Sequence, residues 1–187
     1  MKPTLLAGDT LFVEKWSFSF SKSPSPAQGD VIIFSGKDLT GNFGLDYMKR
    51  VIALPGDKIA IKQGRVFLND KPLPLSQIRG KPQGSSCFME RLPNGLEHPI
   101  CQGSQALESF GPEIIPANSV FVIGDYRMGT LSSKLNKKLM NFGIIPVSTI
   151  KGKASYIWLS IQPQEESQHS SGWIPQFRFD RMFKRVI

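Results

Sequence analysis

A lysine inside an apolar run is the first residue of this chain whose type and setting could do chemistry. Lys49 stands in LDYMKRVIALPGD, with Tyr47 and Met48 before it and Val51, Ile52, Ala53 and Leu54 after Arg50. An alternating strand sends one face of such a segment into a core, and an ammonium carried with it is costly unless it is paired or gives up its proton. A lysine that gives up its proton is a general base, able to take the proton of a serine hydroxyl. Arg50 points to the opposite face of the same strand and cannot share that role. Farther along, Gly124-Asp125-Tyr126-Arg127 closes the apolar run Val120 to Ile123. The two histidines, His98 and His169, have no partner at metal-ligand or triad spacing and are expected to be solvated. Asp9, Asp30 and Asp57 each follow a glycine, where a carboxylate caps nearby amides rather than forming an acid pair.

Three segments stand in a fixed order: Met1-Lys2-Pro3-Thr4-Leu5, then Lys49-Arg50 ahead of Pro55-Gly56-Asp57, then Gly124 to Arg127. Together they resemble bacterial type I signal peptidase. The resemblance implies a Ser/Lys dyad in which Lys49 is the general base and Thr130 orients it by a hydrogen bond. It implies an ion pair between Arg50 and Asp125, and shallow pockets for small side chains walled by Met1, Leu5, Tyr47 and Met48. The nucleophilic serine and an oxyanion-holding hydroxyl fall upstream of Met1, so residues 1–187 alone are expected to lack the nucleophile and to be inactive. The membrane helices of the family also lie upstream of that serine. After Arg127 the likeness decays: Ser132 and Lys134 stand where the family has an aspartate and an arginine, so a second structural ion pair is expected to be lost.

The function so implied is removal of signal peptides from exported preproteins, at the outer face of the plasma (inner) membrane, without metal or cofactor. Signal peptides and an anionic membrane surface are the expected partners, and nucleic acid is not. The alternative is a non-catalytic relative that binds secretory peptides or a membrane surface. A cytosolic serine-lysine self-cleaving repressor domain shares a related core, but no DNA-binding segment or Ala-Gly cleavage sequence precedes the core here.

The elements that must position these residues read as strands. With 187 residues the chain is long enough for one sizeable core, and 17 glycines and 14 prolines describe a turn-rich β protein rather than a bundle. A net charge of +8 suits an anionic partner, yet no zinc-finger spacing or RNP-like motif points to nucleic acid. No run approaches the roughly 18 apolar residues of a membrane span. The expected fold is mainly β, an antiparallel, barrel-like catalytic core from residues 1–71 and 113–187 with a small inserted β lobe at 72–112. The resemblance places that lobe away from the catalytic groove.

Serine- and proline-rich residues 17–28 read as a loop. In the lobe, Pro93-Asn94-Gly95 reads as a three-residue hairpin turn, so residues whose numbers sum to 188 face each other and Cys87 meets Cys101. Directly opposed Cα atoms are about 4.5 to 5.5 Å apart, within disulfide range; two buried thiols are the alternative. The basic C-terminus, residues 178–187, reads as a last strand or as a short membrane-surface helix.

Overall fold

The computed structural model describes residues 1–15, 26–37, 43–78, 86–103, 107–127, 142–163 and 176–187. Thr130, Ser132, Lys134, His169 and most of the Ser17 to Gln28 loop lie outside the described residues. Fourteen strands and no α-helix appear among the described residues, so the fold is mainly antiparallel β, and no helix there is long and apolar enough to cross a membrane.

The principal sheet has six strands: β1 (Asp9–Glu14), β14 (Ile150–Ser160), β2 (Val31–Lys37), β3 (Phe43–Ala53), β11 (Ser119–Ile123) and β13 (Phe142–Pro146), in that spatial order. β4 (Lys58–Lys62), β5 (Arg65–Leu68), β6 (Lys71–Pro72) and β10 (Phe110–Ile114) form a second sheet. A third joins β7 (Leu75–Gln77), β8 (Cys87–Arg91), β9 (Glu97–Gln102) and β12 (Tyr126–Arg127). Every pairing is antiparallel except β9 with β12.

Continuous apolar sequences such as VFVI and VIA arise because β11 and β3 are covered on both faces. Ile52, Phe121 and Ile123 enter one buried cluster with Ile59, Ile61 and Leu92, whereas Val51, Val120 and Val122 enter another with Ile32 and Phe34. That alternation puts Lys49 on the side of Val51 and Arg50 on the side of Ile52. A third cluster, Leu5, Val31, Ala154, Ile157 and Val186, is joined by Met1 and Met48.

The three Gly-Asp turns share one device. Each glycine has a positive φ (Gly8 86°, Gly29 97°, Gly56 87°), and each aspartate accepts the amide three residues back: Asp9 from Leu6, Asp30 from Ala27, Asp57 from Leu54. Gly8 is required for a second reason, since a Cβ there would lie 1.8 Å from the Ile161 carbonyl oxygen. The C-terminus makes one 3-10 turn, Phe179–Arg181, and then runs beside β14, where Phe183 donates to Ile157 at 2.7 Å and Val186 to Ser155 at 2.8 Å.

The lobe is one strand away from the principal sheet. Strand β12 follows Asp125 and pairs with β9, and Cys101 donates its amide to the Asp125 carbonyl at 2.9 Å. The lobe is joined to the Asp125 turn by the parallel β9–β12 pair, a contact between distant segments that no local pattern encodes. β8 and β9 pair Cys87 with Cys101, which form a disulfide.

Candidate active site

Met1 to Asp9 forms a tight turn, with Leu5 donating to the Met1 carbonyl at 3.1 Å. Its apolar side chains, Met1 and Leu5, meet Met48 in the third cluster. Tyr47 goes to the other face of β3, where its ring stacks on Phe34 at 5.8 Å and fills space left by Gly36. Three of the four expected wall residues therefore come together, and Tyr47 stands apart from them across the strand.

Lys49 follows Met48 on β3 and is half-buried. Burial lowers its pKa to about 8, a shift that the Asp125 carboxylate partly opposes. The Met1 amino group is pulled down from its ordinary value, first by burial and then by the charge of Lys49. The start of the chain is therefore close enough to feel the lysine directly.

Arg50, on the opposite face, is fully buried. Its Nε and Nη2 donate to the two oxygens of Asp125 at 2.9 and 2.7 Å, a bidentate pair, and Nη1 donates to the Gly29 carbonyl at 2.8 Å. The Ile187 carbonyl accepts from Nη2 at 3.0 Å, and the Thr4 hydroxyl donates to Asp125. Burial would raise the Asp125 carboxyl pKa, but the charge and hydrogen bonds of Arg50 hold it well below the carboxylate range.

A second ion pair lies behind the first. Glu90 and Arg127, both buried, form a bidentate pair with Nη1 to Oε1 at 2.6 Å. Burial opposes ionisation of Glu90, yet Arg127 brings its pKa to about 2. Between the pairs sits His98, with Nε2 3.3 Å from Glu90 and Nδ1 3.5 Å from Asp125. The expectation that His98 is solvated is corrected here: it has no exposed surface, because β12 and the Asp125 turn cover the lobe hairpin on that side. The paired side chains bring two cations and two anions, so the cluster without the imidazole is electroneutral, which is how buried charge is tolerated.

The sequence reading did not anticipate Glu90, His98 or Arg127 as one group. One signal was present: the hairpin register that opposes Cys87 and Cys101 also opposes Glu90 and His98. Among the described residues no group of three or more His, Cys, Asp or Glu is placed to hold a metal.

The profile of the family described as "Signal peptidase, peptidase S26" matches residues 1–159. A signal peptidase I of Rickettsia typhi is 26% identical over 225 aligned positions that span 100% of this chain and 82% of that protein. The signal peptidase I of Leptolyngbya laminosa is 30% identical over 158 positions, 82% of this chain and 62% of that protein. A solved signal peptidase I from Enterococcus faecalis aligns at 19% identity with a TM-score of 0.39, over 70% of this chain and 97% of that one.

Proposed function

Because the chain belongs to the signal peptidase, peptidase S26, family, we propose that it is the catalytic part of a serine-lysine endopeptidase that removes signal peptides from exported preproteins. The observation that carries this reading is the half-buried Lys49 with a pKa near 8, in whose field the Met1 amino group lies. A serine directly before Met1 would stand beside that lysine. Its hydroxyl proton passes to neutral Lys49 as the oxygen attacks the carbonyl carbon before the cut. The C–N bond then breaks, Lys49 returns the proton to the leaving amine, and a water activated by the same lysine releases the acyl group. Thr130 orients Lys49 in this scheme.

Substrate binding is supported by the cluster of Met1, Leu5 and Met48 beside β3, against which the small side chains of an extended peptide can pack. An anionic membrane surface is supported by exposed Phe12, Tyr156, Trp158, Phe179 and Phe183, with Lys184 and Arg185 beside them. Aromatic groups rimmed by cations suit the headgroup region on the extracytoplasmic side.

The test joins residues 1–187 to an upstream segment ending in serine and presents a preprotein. Cleavage that Lys49→Ala abolishes is the expected result, and residues 1–187 alone should be inactive. No cleavage by a folded serine-bearing protein would sink the reading and favour a non-catalytic peptide-binding relative.

A further inference from the structure

Residues after the 1–159 span of the family profile bond to the N-terminal turn. We propose that the segment from Arg178 to Ile187 is a strap that holds Met1 to Leu5 beside Lys49, with Arg181 and Asp9 as its positioning residues.

The strap grips the N-terminal turn through one buried carboxylate. Asp9 accepts the Leu6 amide at 2.8 Å, the Ser160 hydroxyl at 2.6 Å and Arg181 Nη2 at 2.6 Å, with Arg181 Nε and Arg178 Nη2 each at 3.3 Å. Arg181 Nη2 also donates to the Thr4 carbonyl at 3.0 Å, and Arg178 Nη2 to the Ala7 carbonyl at 2.6 Å. Carbonyls on both sides of Leu5 are thus held by arginines more than 170 positions away. The contact is close as well as polar: Ile161 donates to the Gly8 carbonyl at 2.9 Å, and the space a Gly8 side chain would need is occupied by the Ile161 carbonyl oxygen.

At its other end the strap reaches the machinery itself. Val186 is buried in the cluster that includes Leu5, Met1 and Met48, and the Ile187 carbonyl accepts from the Arg50 guanidinium that holds Asp125. One segment therefore fastens the turn from outside and packs beneath it. An ordinary C-terminal tail would stabilise the sheet without touching both Thr4 and Arg50. Burial opposes ionisation of Asp9, but the hydrogen bonds from Arg181, the Leu6 amide and Ser160, with the charge of Arg181, together outweigh it and keep the carboxylate charged at neutral pH.

The catalytic meaning of the strap rests on the peptidase reading above, but its test needs no turnover. Residues 1–187 carrying 13Cε-lysine are titrated by NMR, with the Lys49 resonance assigned by Lys49→Arg. In wild type the midpoint should lie near 8. Arg181→Gln, Asp9→Asn and Gly8→Ala should each raise it by about one unit or more toward the ordinary lysine value near 10.4, because a loosened turn lets water reach the ammonium. Arg181→Lys, which keeps the charge but not the fork, should raise it less. A tail that only stabilises would lower the melting temperature and leave the midpoint alone.

Hydrogen exchange of the unmodified chain gives a second, mutation-free reading. The amides of Leu5 and Asp9 should open with the same free energy as those of Arg178 and Val186, as one cooperative unit. Folded variants that titrate like wild type, or Leu5 and Asp9 amides that open independently of Arg178 and Val186, overturn the strap. In either event cleavage by a serine-bearing protein could still stand.

Discussion

Replacing Asp125 by asparagine keeps the shape of the side chain and removes the charge that faces Arg50, and the structure fixes what should follow. Both partners are fully buried and the pair is bidentate, so removing one member leaves a guanidinium without its counter-ion in the interior. Such a loss typically costs about 3–5 kcal/mol. Arg50 keeps the carbonyls of Gly29 and Ile187, and asparagine still offers one acceptor oxygen, so the expected cost is at the lower end, about 3 kcal/mol. Urea unfolding of residues 1–187 measures it, in a cycle with Arg50→Met and the double variant. Because the two side chains share the bond, the double variant should be well above additivity, with a coupling of about 2 kcal/mol. The Lys49 midpoint is a second readout: Asp125 raises it, so Asp125→Asn should lower it below about 8. A coupling energy near zero in folded proteins, or a Lys49 midpoint that does not move, would refute the reasoning.

Glu90 has a folded pKa of about 2 against an ordinary 4.5, so its contribution is complete above pH 4.5 and is lost as pH falls toward 2. That shift corresponds to about 3 kcal/mol, and Glu90→Gln should flatten the acid limb of a stability-versus-pH curve by that order. Lys49 runs the other way: its folded value near 8 lies below the unfolded 10.5, so the unfolded chain binds more protons between them and stability rises with pH across that window. At neutral pH, Lys49→Met should therefore stabilise the fold by up to about 3 kcal/mol while abolishing cleavage in the serine-bearing form; an unchanged or lower midpoint in urea would count against its burial. The same titration makes kcat/KM rise with pH to a plateau above about 8, since only the neutral amine accepts a proton. Reduction of the Cys87–Cys101 bond opens a short ring, worth roughly 3 kcal/mol by loop entropy. Exchange should quicken in β8, β9 and β12, which shares backbone bonds with β9, and stay slow at Val51; loss of protection at Val51 would mean the principal sheet depends on the bond.

The strands were legible where period-2 alternation and turn chemistry acted locally. Gly-Asp turns announced the starts of β1, β2 and β4, and Pro93-Asn94-Gly95 set the register of β8 against β9. What the sequence does not carry is which distant segments meet. Nothing local to Arg181 says that it reaches Thr4, and nothing local to His98 says that β12 will cover it. His98 shows the limit clearly: its cross-strand partner Glu90 follows from the hairpin register, but its burial depends on a strand 28 positions later in the chain. The C-terminal residues were readable only as basic and amphipathic, because a segment that pairs through four backbone bonds beside β14 needs no alternation of its own.

The electrostatics of Lys49 explain why a buried ion pair belongs next to it. Arg50 is a permanent cation one residue away, and left unneutralised in the interior it would press the lysine further toward the neutral form and weaken it as a base. Asp125 cancels that charge and adds its own attraction, so burial lowers the lysine only to about 8. The carboxylate can do this only while ionised in a site that resists ionisation, which requires Arg50 on it. His98 lies between this carboxylate and the Glu90–Arg127 pair of the lobe, the Cys101 amide holds the Asp125 backbone to the lobe, and Thr4 ties the carboxylate to the N-terminal turn. The basicity of Lys49 is therefore set first by burial and then by the Asp125 carboxylate that Arg50 and Thr4 hold in place, and a change in either partner should be felt as a shift in the Lys49 midpoint.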